Sequence, residues 1–157
     1  MDKDIADFAL NDAAGKKVGY AEVRAHSENA DALIMRNGVL DAYVSAVDSG
    51  FCVRVLAEGG IGFASTNKWT KEEAKKIVEI AYKLAKMAKR KEKIVFAEEK
   101  NVKTNWKVDE KKRIENVLPE TRIETFLEMD KDLSSQGINV ASRMFSFATT
   151  LTDKYFV

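Results

Sequence analysis

Residues 50–67 read Gly-Phe-Cys-Val-Arg-Val-Leu-Ala-Glu-Gly-Gly-Ile-Gly-Phe-Ala-Ser-Thr-Asn, two alternating apolar runs about a glycine pair. Alternation with period two is the signature of a strand, so the stretch predicts a β-hairpin. Phe51, Val53, Val55 and Ala57 share one face, and Cys52, Arg54 and Leu56 share the other. Glu58-Gly59-Gly60 can supply the positive φ angles of a tight turn. Gly62 leaves a bare spot in the second run, which predicts either a bulge or the close approach of another backbone.

Upstream, Ala32–Met35 and Val39–Val47 flank Arg36-Asn37-Gly38, and Asn-Gly between apolar runs is the strongest short-range hairpin signal. Leu40, Ala42, Val44 and Ala46 form a uniformly apolar face. Tyr20–Ser27 alternates Tyr, Glu, Arg and His with Ala, Val, Ala and Ser, which predicts a half-exposed strand with its small side chains inward. About five antiparallel strands are expected over residues 20–66. Before them, the apolar positions of residues 2–13 suit a helix that Gly15 stops.

Downstream the period changes to 3.6. Thr70-Lys-Glu-Glu73 is a capping box, in which the threonine oxygen accepts a free helix N–H and Glu73 reaches back to the cap. Ala74, Ile77, Val78, Ala81, Leu84, Ala85 and Ala88 make one stripe, predicted to lie on the sheet, and lysines decorate the rest. Ile94–Ala97 reads as a short strand or connector. Asp109–Val117 and Glu120–Leu133 read as two helical pieces, with Pro119 suited to a first helical position and Gly137 ending the second. Ile138–Val157 returns to alternation, as one long strand or a hairpin. The fold class expected is therefore α+β, an antiparallel meander sheet covered by a long amphipathic helix, with further helices and a C-terminal strand.

With 157 residues, 45% hydrophobic and 32% charged, the chain suits one domain with a real core rather than a disordered or fibrous segment. A net charge of +1 gives no global reason to expect nucleic acid or a membrane surface as partner. The lysines concentrate in residues 68–93, where a solvated helix face accounts for them better than a phosphate track does. One cysteine, Cys52, excludes an internal disulfide, so the cytoplasm is the expected location. No apolar run approaches the roughly 20 residues of a spanning helix.

Few side chains carry chemistry. His26 and Cys52 are the only soft metal ligands, and a catalytic zinc usually takes three protein ligands. A nucleophilic triad would have to use His26, which has no evident nucleophile beside it. Phosphate-binding glycine loops are missing, because a strand rather than a helix follows Gly59, Gly60 and Gly62. Neither a catalytic nor a metal-binding residue is expected in this chain.

Gly50-x-x-Val-Arg-Val-Leu-x-x-Gly-x-x-Gly-Phe-Ala-Ser-Thr-Asn67, with Arg36-Asn37-Gly38 upstream, resembles the amino-terminal domain of the TldD/PmbA proteins, once called modulators of DNA gyrase. The resemblance runs clearly from Tyr20 to about Leu84 and more loosely to the end. Lys154-Tyr-Phe-Val157 resembles the strand that leads into an Asn-Ser-Glu-Gly turn in that family. Arg36, Asn37, Gly38, Arg54, Gly62, Phe63 and Ala64 are the positions shared with the family pattern. Turn chemistry is a sufficient reason for the first three, and pairing with an acidic neighbour across the sheet for Arg54.

The resemblance implies that residues 1–157 are a single amino-terminal domain, a fragment truncated before a larger carboxy-terminal catalytic domain. In the active family member that domain holds a His-Glu-x-x-x-His zinc motif completed by a distant cysteine, so the resemblance makes zinc possible there and implies no cofactor in this chain. It also implies a homodimer or a heterodimer with a TldD/PmbA-type partner that encloses a chamber and cuts unfolded peptides. The domain would shape that chamber and the dimer contacts, in either the metal-bearing or the metal-free subunit. The alternative is a stand-alone peptide-binding or interaction module that uses an exposed sheet edge. The apolar end of the chain predicts self-association through Ile138–Val157.

Overall fold

Two tight turns organise the molecule. In the computed structural model, which describes residues 1–98, 102–137 and 139–157, the first turn sets Asn37 at φ 50° and Gly38 at φ 74°, and the second sets Glu58 at φ 51° and Gly59 at φ 83°. Paired positive φ angles match the right-handed twist of the flanking strands, so each turn closes a two-residue hairpin. Gly60, also expected to help turn the chain, lies in the following strand instead.

The elements run α1 (Lys3–Ala14), β1 (Tyr20–Arg36), β2 (Val39–Ala57), β3 (Gly60–Thr66), α2 (Lys71–Met87), a single 3-10 turn at Ile114–Asn116, α3 (Pro119–Ser135) and β4 (Met144–Phe156). The strands form one antiparallel sheet in the order β3-β2-β1-β4. The fold is α+β with a meander, as expected. Three strands rather than five occupy residues 20–66, because β1 and β2 run unbroken through Ser27–Asp31 and Asp48–Gly50. Gly50 lies inside β2, close enough to β3 that an added Cβ would come within 2.7 Å of the Thr66 carbonyl oxygen. Of the helical piece expected at Asp109–Val117 only the 3-10 turn forms, and Ile94–Ala97 is a connector whose Ile94 N–H donates to the Gly59 oxygen (3.1 Å). Ile138 lies outside the described residues; from Met144 the chain is one strand, not a hairpin.

Two compact units make up the chain. One comprises Met1–Glu28, Val47–Lys100 and Thr152–Val157, the other Asn29–Ala46 and Asn101–Leu151. In the first, Val23 and Ala25 of β1 and Phe51, Val53, Val55 and Ala57 of β2 bury one sheet face against α1 and α2. The register from Phe51↔Thr66 to Ala57↔Gly60 is unbroken, so Gly62 is not a bulge. It lies under α2, where an added Cβ would strike the Ala81 carbonyl oxygen, and Gly60 lies likewise under the Ala85 oxygen. Ala74, Ile77, Val78, Ala81 and Ala85 are buried there. Leu84 and Ala88 stay exposed, since a helix seated this closely on a sheet leaves room only for the centre of its stripe.

Half of the capping box forms. Thr70 Oγ1 accepts from the Glu73 N–H (3.2 Å), while the Glu73 carboxylate takes Lys76 Nζ (3.3 Å). Asp2 caps α1 by accepting from the Ile5 N–H (3.2 Å). A Lys16–Glu79 ion pair of 2.8 Å ties the segment after α1 to α2. The chain end is tied down too: Val157 N–H donates to the Val23 oxygen (3.0 Å), and Tyr155 donates its hydroxyl to Asp7 (2.8 Å).

In the second unit Pro119 begins α3, its fixed φ suited to that place. Phe126 packs on Phe145 and Phe147 of β4, with ring centroids 5.5 and 6.4 Å apart. The Asn37 N–H donates to the Arg143 oxygen, and continuing that antiparallel register sets Met35 opposite Phe145 and Leu33 opposite Phe147. Leu33 and Met35 are fully buried. The apolar face of Leu40, Ala42, Val44 and Ala46 is left uncovered, with Val44 55% exposed. A face that reads as core in sequence is here a surface.

Candidate functional site

Two clusters bring together side chains that the sequence scatters. The first lies in the first unit, on the sheet face away from α1 and α2. Glu22 is buried there, although its alternating strand reads as half-exposed. Its carboxylate accepts from the Tyr20 hydroxyl (2.7 Å) and pairs with Arg24 Nε (3.1 Å) and Arg54 Nη1 (3.2 Å). A buried carboxylate persists only with such partners, so Arg54, a family-pattern position, holds Glu22 in place. Arg24 also stacks on Phe156 at 5.0 Å. Burial, and then the bond to Glu22, push the Tyr20 hydroxyl above its usual pKa, so it donates at neutral pH.

Beside this cluster runs an open groove of about 520 Å³ bordered by Arg24, His26, Glu28, Gly50, Cys52 and Asn67. Burial raises the Cys52 pKa despite the nearby Arg24, leaving a protonated thiol rather than an activated nucleophile. His26 pairs with Glu28 at 3.4 Å. Among the described residues no three of His, Cys, Asp and Glu converge. This donor set does not fit a zinc ion, which needs three or four such ligands.

The second cluster lies in the second unit at the Asn-Gly turn. Asn37 Oδ1 accepts from the Arg143 N–H (2.8 Å), and Arg143 grips Asp130 of α3 with two bonds of 2.7 and 3.0 Å. Arg143 holds the Asp130 carboxyl below its usual range, helped by the Gly38 N–H. A Cβ at Gly38 would meet Asp130 Oδ2 at 3.0 Å. Asn37 and Gly38 thus do more than turn the chain: they dock it onto α3 and the start of β4. Arg36 stays half-exposed and reaches Asp41 at 3.7 Å. Asp130 and Arg143 carry no sequence signal, because their pairing depends on contacts far apart in the chain.

The remaining pattern positions sit on β3. Gly62 admits the backbone of α2, Phe63 is half-exposed opposite Arg54, and Ala64 packs on the core opposite Val53. Residues 21–85, which hold both turns, β3 and most of α2, match the family model described as PmbA/TldA metallopeptidase domain 1. Over that span the chain is similar to the first domain of the PmbA/TldD proteins. It is 26% identical over 129 residues to a metalloprotease of Methanocaldococcus jannaschii, a span that covers 81% of this chain and 29% of that protein. To a metalloprotease of Methanothermobacter thermautotrophicus it is 37% identical over 71 residues, 45% of this chain and 14% of the relative.

The PmbA/TldD likeness extends to solved structures. A candidate modulator of DNA gyrase from Bacteroides thetaiotaomicron superposes with a TM-score of 0.78 at 18% identity, covering 99% of this chain and 36% of that one. TldE from Thermococcus kodakarensis superposes with a TM-score of 0.72 at 16% identity, covering 98% and 34%. At these identities the likeness speaks for the fold. The chain spans about a third or less of the length of these proteins. No helix among the described residues is long and apolar enough to cross a membrane.

Proposed function

We propose that this chain is the non-catalytic amino-terminal domain of a TldD/PmbA-type metallopeptidase assembly, in either the metal-bearing subunit or its metal-free partner. It shapes the peptide chamber and supplies dimer contacts, while zinc and the cleavage of unfolded peptides belong to the carboxy-terminal domain. The reading rests on the family match at residues 21–85, which contains no zinc-binding set. The polar clusters accord with it. Glu22 and Asp130 are clamped by arginines as fixed structural ions, and Cys52 is protonated, so neither cluster is poised to attack a peptide. In this reading the assembly works in the cytoplasm and binds no nucleic acid.

The purified 157-residue chain is expected neither to bind zinc stoichiometrically nor to cleave an unfolded peptide. Metal analysis and a fluorogenic peptide assay with and without chelator check both. Chelator-sensitive cleavage by this chain would refute the reading.

A further inference from the structure

The outer edge of β2 is paired by β3 only from Phe51 to Ala57, so the ladder stops where the first half of β2 begins. Along that free half both faces are open. Val39 is 67% exposed and Val44 55%, and Leu40 and Tyr43 are exposed as well. Complete edges are usually blunted by lysine, proline or a bulge. Between Val39 and Val47 the only charge is Asp41.

We propose that this edge pairs antiparallel with the same edge of a second copy, about a two-fold axis at Tyr43. The proposal deepens the dimer-contact part of the reading above, and it stands on three features of the strand. The first is hydrogen-bond phase. The two-residue turn makes Arg36 and Val39 a bonded pair, so the backbone groups of Val39, Asp41 and Tyr43 point to β1. Those of Leu40, Ala42, Val44 and Ala46 point outward, and an axis at Tyr43 brings Ala42 opposite Val44 and Leu40 opposite Ala46, saturating them all.

The second is side-chain symmetry. Val-Leu-Asp-Ala-Tyr-Val-Ser-Ala-Val reads the same in both directions as apolar and polar positions, so Val39 meets Val47, Tyr43 meets Tyr43 and every apolar residue meets an apolar one. An isologous interface needs this self-complementarity. The third is charge. The axis at Tyr43 sets Asp41 opposite the uncharged Ser45, whereas an axis at Asp41 would oppose two carboxylates, and one at Val44 would set Asp48 against Leu40.

Cysteine scanning of the 157-residue chain in a Cys52→Ser background, read together with sedimentation velocity, tests the proposal. At the axis the two copies of residue 43 form a non-bonded pair with Cα atoms about 4.5 Å apart, suited to a disulfide. Tyr43→Cys is expected to oxidise to a covalent dimer. Val39→Cys alone is expected to remain uncrosslinked, and a mixture of Val39→Cys with Val47→Cys to crosslink. Tyr43→Lys, which opposes two ammonium groups on the axis, is expected to weaken the dimer at least about tenfold with an unchanged circular dichroism spectrum. A strictly monomeric chain overturns the proposal. So does a dimer that crosslinks through Thr150→Cys of β4 and not through residue 43, or an edge that captures an added unfolded peptide while never pairing with itself. These readouts involve no cleavage, so the peptidase reading and the edge pairing fail separately.

Discussion

Asp130 is one of only two charged or polar side chains buried among the described residues, and its position ties the Asn-Gly turn to α3. Arg143, and then the Gly38 N–H, hold its carboxyl below the ordinary value. A carboxylate whose folded pKa is depressed adds stability above its unfolded pKa, and that stability is lost as pH falls through the folded value. Asp130→Asn should therefore lower Tm at neutral pH, and its gap from the parent chain should close below about pH 4. Thermal melts from pH 7 to pH 3 check this; a gap that is constant with pH would mean that packing, not charge, sets the effect. Glu22 gives the same lesson about what a sequence discloses. Asn37 and Gly38 announce their turn locally, and alternation already sets Tyr20 and Arg24 on the strand face of Glu22, whereas the reach of Arg54 to Glu22 and the grip of Arg143 depend on contacts that no local pattern specifies.

Among the elements, the α2–β3 joint is the most demanding. Gly60 and Gly62 lie directly under the helix backbone at Ala85 and Ala81, and backbone cannot swing aside as a side chain can. Gly62→Ala should destabilise the fold by about 3 kcal/mol, at the upper end of overpacking costs. Gly15→Ala is the control: its nearest prospective contact is 3.5 Å away and its φ is −63°, so the change should be neutral or stabilising by up to about 1 kcal/mol. Urea titration of both variants separates the two. This joint was half legible, since a glycine within an alternating run signals either a bulge or an approaching backbone. Strand length was not. Ser27–Asp31 and Asp48–Gly50 carry residues typical of turns, but nothing in their composition reveals that the strands run on through them. Leu84 misleads for the opposite reason, lying on the stripe by periodicity and off it by depth.

At the scale of the whole molecule the two units differ in how their cores are built. The first buries a continuous set of side chains from α1, α2, β1 and β2, whereas the second relies on Leu33 and Met35 with the Phe126, Phe145 and Phe147 rings. Less buried apolar surface means cheaper local opening. Amides of Leu33 and Met35 should thus exchange with solvent at least about tenfold faster than those of Val53 and Val78, a difference of about 1.4 kcal/mol. Native-state hydrogen exchange, at dilutions where sedimentation shows monomer, checks this; equal protection would mean that the chain opens as one cooperative body. The meander, the long helix and the fold class were all readable from alternation and capping. The division of the chain was not: it cuts across β1, β2 and β4, and although alternation reads β1 and β2 as two strands each and leaves the last segment open between one strand and a hairpin, it does not say which pieces pack together.

The meeting of alanines and glycines between α2 and β3 has a consequence for how this domain tolerates change. A joint made of main chain on main chain freezes almost no rotamers when it closes, so its assembly is spared most of the side-chain entropy that ordinary packing forfeits. The same smoothness leaves it no slack. In a saturation-mutagenesis map of this domain the least forgiving sites should be Gly60, Gly62, Ala81 and Ala85, its smallest residues, while large neighbours such as Leu84 and Phe63 accept replacement freely.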